Sequence, residues 1–172
     1  MIEELLQSPY WVIDFLPRQV PADSVGQFFA VERFFLQETR QTALRRSFAD
    51  ILLKVNCYYD IESSTPEGHY GIQAVESEVE SSTPEGDHDP QAAEREEERW
   101  KRNPAPELLY SWITEGKEDL RVLLPEESAL FTLNRDVLYM TVYHPSERLL
   151  KLLDSLVASA GLFLWQPPQE EK

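Results

Sequence analysis

One cysteine, Cys57, is all that the 172-residue chain holds, so no internal disulfide can form. No Cys/His set has the spacing of a zinc site. Basic residues are scarce as well: 16 Lys and Arg stand against 31 Asp and Glu, a formal net charge of −15. Phosphates and anionic headgroups need clustered cations, so neither nucleic acid nor a membrane is an expected partner. No apolar stretch approaches the ~20 residues of a spanning helix. The start, Met1 to Leu6, lacks the positive segment and long apolar core of an export signal, and a reducing cytoplasm is the expected compartment. G-x-G-x-x-G, Walker-type, G-x-S-x-G, H-E-x-x-H and C-x-x-C patterns are missing too. The common nucleotide, hydrolase, zincin and redox classes lose their signatures, and no cofactor, metal or catalytic set is expected.

What is present suits a packed domain. Hydrophobic residues make up 42% of the chain, enough for residues 1–172 to form one domain with a sizeable core. After a short helical start, Tyr10 to Leu16 is a β-rich apolar run closed by Pro17 and Pro21. Ser24 with Gln27 has capping-box spacing. Phe28, Val31, Phe35, Leu44, Phe48, Ile51, Leu52 and Val55 recur at helical steps, which predicts one long amphipathic helix with Arg33, Arg40, Arg45 and Arg46 outward. Val55, Cys57, Tyr59 and Ile61 then alternate as a strand would. In the last third, a strand over Leu120 to Leu124 precedes a hairpin, Leu130–Leu133 and Val137–Tyr143, turning at Asn134-Arg135-Asp136. Gly116 ends a helix carrying Leu108, Leu109, Trp112 and Ile113, and Gly161 ends the helix that Pro145-Ser146-Glu147 begins. Leu162 to Trp165 is a final strand. This order predicts an α+β fold, a largely antiparallel sheet with helices packed on one face, and ferredoxin-like topology as the specific form.

An acidic insert interrupts that plan. Glu62-Ser63-Ser64-Thr65-Pro66-Glu67-Gly68 returns letter for letter as residues 80–86. Residues 60–99 hold 13 Asp and Glu against two bases, Arg95 and Arg99, so 11 of the fifteen net negative charges lie there. Thr-Pro-Glu-Gly has the residue preferences of a type I turn, which suits a strand-turn-strand meander; a solvated linker is the alternative. Residues 81–105 are expected to be an acidic, mobile segment.

Single candidates for chemistry are few. Asp87-His88-Asp89 could offer metal ligands but has the pattern of a solvated helix cap. His69 and His144 have no partner readable in sequence. Cys57 falls on the apolar side of its expected strand and is best taken as a small buried hydrophobe. Asp14 interrupts an apolar strand, and alternation leaves open whether it points outward or is a buried acid with a raised pKa.

Two functions remain in view. The first is a non-enzymatic binding or inhibitor-type protein whose acidic surface, with Glu76, Glu78, Glu80, Asp87, Asp89 and Glu94, meets a basic protein partner. The second is a small-molecule-binding or catalytic α+β domain with a pocket between sheet and helices. It rests on the aromatics near strand ends: Tyr10, Trp11, Tyr58, Tyr59, Tyr139 and Tyr143. A homodimer through the C-terminal strand is a further expectation, because a short apolar strand at a sheet edge needs covering.

Overall fold

The computed structural model describes residues 2–64 and 100–168. Along the chain come α1 (Ile2–Leu5), β1 (Tyr10–Asp14), α2 (Phe28–Phe35), α3 (Glu38–Val55), β2 (Glu62–Ser64) and β3 (Lys101–Arg102). There follow α4 (Pro106–Glu115), β4 (Leu120–Leu124), β5 (Ala129–Leu133), β6 (Tyr139–Tyr143), α5 (Glu147–Ser159) and β7 (Phe163–Trp165). The strands form one open antiparallel sheet in the order β3-β2-β4-β5-β6-β1-β7. The fold is therefore α+β, as the element pattern predicts.

Local chemistry accounts for most of these elements. Ser146 caps α5, its Oγ accepting a hydrogen bond from the Leu149 amide at 3.1 Å. Pro106 opens α4, and Gly116 closes it in the left-handed conformation that a β-carbon disfavours. β4, β5 and β6 form a meander through two short turns. β1 lies between β6 and β7 and is antiparallel to both, so β6 and β7 run parallel and are joined by α5. At the other edge Asn103 locks β3 onto β2. Its amide donates to the Ile61 carbonyl (2.7 Å), and its Oδ1 accepts from the Ile61 amide (3.0 Å).

The main core lies between one sheet face and the three longer helices. Ile13, Val122, Phe131, Met140 and Val142 from the sheet meet Phe48, Leu52, Leu109, Ile113, Leu149 and Leu153 from α3, α4 and α5. Burying side chains of this size contributes about 1.5–3 kcal/mol each. The expectation of helices on one face holds for these three only. Leu5 of α1 packs with Leu123 and Leu130 on the opposite face, and α2 borders that face beside β1. No helix among the described residues is long and apolar enough to cross a membrane.

Four sequence expectations over residues 24–61 are corrected. The long helix over residues 28–55 is two helices, because Gln37 takes an extended conformation between them. The capping box does not form: Gln27 makes no side-chain cap, and Ser24 Oγ instead accepts from the Gly26 amide. Val55 to Ile61 is not a strand. Helical packing at Phe48, Leu52 and Val55 continues through Tyr59, whose amide donates to the Val55 carbonyl, and pairing starts only at Glu62. Cys57, in the turn so formed, is exposed rather than buried.

The repeat's two turns, its meander beyond Ser64, His69, the Asp87-His88-Asp89 cluster and the charged stretch through Arg99 lie outside the described residues. So do the partner-binding candidates Glu76, Glu78, Glu80, Asp87, Asp89 and Glu94. From Trp100 onward the 81–105 segment is described, and its Lys101–Arg102 forms β3.

Candidate functional site

The sheet face opposite the main core carries the chemistry. Side chains alternate along a strand, so directly paired residues of neighbouring strands share a face. Tyr10 pairs with Tyr143, Val12 with Thr141, and Asp14 with Tyr139. On β7, Trp165 is the partner of Val12. These seven residues line a cleft of about 370 Å³, within the ~300–1,000 Å³ typical of ligand sites. The segment after β1 forms a second wall with Phe15, Leu16, Arg18, Gln19 and Val20, and α2 adds Phe28 and Glu32. Phe35 of α2 meets Phe15 with ring centroids 4.8 Å apart, which ties that wall to the strand end.

Asp14 is the centre of the site. It is only 8% exposed. Its Oδ1 accepts a 3.3 Å hydrogen bond from the Leu16 amide. No Lys, Arg or His forms an ion pair with it among the described residues. Burial raises its pKa from 3.8 to about 6, while the backbone amides of Leu16 and Phe15 pull the other way. A carboxyl with that value is mostly ionised at neutral pH yet close enough to exchange a proton. Burial also raises the Tyr139 and Tyr143 phenols. The neighbouring Tyr10, Asp14 and Glu32 add to the effect at Tyr139, and a hydrogen bond with Thr132 opposes it at Tyr143. Both phenols are therefore neutral hydrogen-bonding groups at physiological pH. The Trp165 indole nitrogen is buried without an acceptor among the described residues.

The structure brings together part of the sequence-predicted aromatic set. Tyr10, Tyr139 and Tyr143 converge, with the rings of Tyr10 and Tyr143 5.5 Å apart. Trp11, one residue out of phase, faces the main core; Tyr59 is buried against that same core, and Tyr58 is exposed. The pocket accordingly lies on the second sheet face, not between the sheet and its three covering helices. Asp14 is resolved as a buried acid. Sequence reasoning missed Thr141, Trp165, Phe28, Arg18 and Glu32. Alternation in β6 from Tyr139 to Tyr143 was a usable signal for Thr141. No local pattern places a residue of α2 beside β1.

The other singled-out groups lie elsewhere. His144, exposed and with a left-handed backbone, sits 3.2 Å from the Ser128 carbonyl through Nδ1 and joins two turns. Arg45 is buried rather than outward. Its guanidinium donates to the carbonyls of Ile113 (3.3 Å), Asn134 (3.1 Å) and Arg135 (2.6 Å), and so ties α3 to the end of α4 and to the β5–β6 turn. Among the described residues no group of three His, Cys, Asp or Glu could hold a metal ion.

No family model, no curated protein and no solved structure matches this chain.

Proposed function

We propose that this chain is a small-molecule-binding α+β domain whose ligand sits in the cleft between β1, β6, β7 and α2. The observation that carries this is Asp14, a nearly fully buried carboxylate with no cationic partner among the described residues, facing a cavity lined by aromatic rings. Leaving such a group unpaired costs free energy, and natural folds retain that cost mainly at functional sites. Binding is favoured over catalysis because, among the described residues, no His, Cys or Lys lines the cleft, and these are the groups most often used as nucleophile and base. A fragment screen by NMR tests the proposal. Hits should perturb Tyr10, Thr141 and Trp165, and Thr141→Tyr, which fills the floor of the cleft, should abolish them. Hits scattered over the surface, or insensitive to Thr141→Tyr, would sink it.

The acidic segment supports a second reading, a surface that meets a basic protein. Eleven net negative charges in forty residues would speed encounter with such a partner and make binding salt-dependent. Retention of basic proteins at low salt and their release at high salt is the expected outcome of a pull-down. A ferredoxin-like core is also proposed, supported by the sub-order β5-β6-β1-β7 with α3 following β1 and α5 joining β6 to β7. On this view β2, β3, α4 and β4 are an insertion between α3 and β5. A single free and exposed Cys57 suits the reducing cytoplasm.

A further inference from the structure

We infer that the ligand of this cleft is an organic ammonium ion, its charged head countered by the Asp14 carboxylate and its apolar body held among Tyr10, Tyr139 and Trp165. This rests on the small-molecule reading above and names the class of ligand. Three independent observations point to a cation. Asp14 is 8% exposed and, among the described residues, is met by backbone amides of its own turn and by no cation. Among the described lining residues the one base, Arg18, is exposed and makes no ion pair with Asp14, while a second carboxylate, Glu32, enters from α2. Aromatic rings line the same cleft, with Tyr139 paired directly to Asp14 across the strands, and ring faces attract cations, most strongly when water is excluded.

A bare metal ion fits poorly. Hard divalent cations take six or more oxygens at short range, whereas two carboxylates in a cavity of about 370 Å³ leave most of the space apolar. An anion would meet two carboxylates and one exposed guanidinium. The chain's net charge of −15 further favours accumulation of cations near the protein.

Proton binding should compete with the ligand. The groups facing Asp14 are Tyr139 across the strand pair on β6, Tyr10 on its own strand, Glu32 on α2 and Arg18 in the following loop; β7 contributes Phe163 and Trp165, which do not titrate. With the Asp14 pKa at about 6, a fall from pH 7.5 to pH 5 should weaken an ammonium ligand about tenfold and leave a neutral one unaffected.

The test uses the full chain and three probes of one shape: 2-phenylethylammonium, neutral 2-phenylethanol and anionic phenylacetate. Each is titrated at pH 7.5 and pH 5 while the Trp165 indole N–H resonance, assigned by Trp165→Phe, is followed by NMR. Expected is about tenfold tighter binding of the ammonium than of the alcohol at pH 7.5, lost at pH 5 and lost in Asp14→Asn. Asn keeps the oxygen that accepts from Leu16, and the pH comparison on the unmodified chain decides the matter if that variant fails to fold. Equal or tighter binding of the alcohol or of phenylacetate would overturn the ammonium assignment and leave the cleft a binding site. An ammonium preference unchanged by both pH and Asp14→Asn would also overturn it. Absence of any Trp165 response to all three probes at millimolar concentration would overturn the binding site as well.

Discussion

Among the described residues, Arg45 and Asp14 are the two charged side chains that the fold takes out of water, and they serve opposite ends. Arg45 is spent on structure. Its guanidinium serves three backbone carbonyls; burial lowers its pKa and the nearby Asp119 and Asp136 raise it. Arg45→Met should leave those carbonyls without a donor and cost about 2–4 kcal/mol, read as a lower urea midpoint. Gly116 is coupled to it: φ is +60°, and a β-carbon there would lie 2.6 Å from Arg45 Nε. Gly116→Ala should therefore be strongly destabilising alone and less so beside Arg45→Met, and strict additivity of the two would show that the contact does not matter. Asp14 is a cost that the fold carries. Its folded pKa of about 6 lies above the unfolded 3.8, so the native state binds more protons between those values. Stability should fall as pH rises through that window and stay level above it. Asp14→Asn should accordingly gain roughly 1–3 kcal/mol at pH 7.5 and nothing at pH 3, and a destabilised variant at pH 7.5 would show that the carboxylate is favourably placed instead.

Elements bounded by strong local punctuation were legible in the sequence. α4 ends at Gly116, α5 begins at Ser146, β4 occupies Leu120–Leu124, and the β5–β6 hairpin turns at Asn134 to Asp136, because each has a cap, glycine or turn residue acting within four positions. The α2–α3 break was hidden for the converse reason: no Gly or Pro marks Gln37, and the apolar period runs across it. β2 was hidden because Val55 and Tyr59 satisfy both alternation and helical spacing. Tertiary packing decided between them, with α3 continuing to Val55 in the core. The cap of α5 offers a quantitative check. Ser146→Ala removes the acceptor of the Leu149 amide and should cost about 1 kcal/mol, seen as a lower melting temperature with unchanged helix content. A neutral outcome would mean that water replaces the hydroxyl there at no cost.

At the scale of the whole molecule, strand parity was the part of the site that could be read, since Tyr10 to Asp14 and Tyr139 to Tyr143 each alternate. The convergence of β1, β6 and β7 was not, because β1 is paired to strands some 130 and 150 residues away. That arrangement leaves β7 as one edge of an open sheet, with Phe163 45% exposed. An edge strand of this kind is a template for pairing with a second copy. Two such copies would each bring a net charge of −15, and like charges oppose association until salt screens them. The Debye length shortens from about 20 Å at roughly 20 mM salt to about 4 Å at roughly 500 mM. Self-association through β7 should therefore strengthen as salt is raised, whereas capture of a basic partner by the acidic segment should weaken over the same range. Light scattering at micromolar concentration gives the first trend, and Phe163→Lys, a charge on the edge, should abolish it. A dimer that forms at low salt and dissolves at high salt would exclude the β7 edge as the contact, because only oppositely charged surfaces lose affinity in that direction.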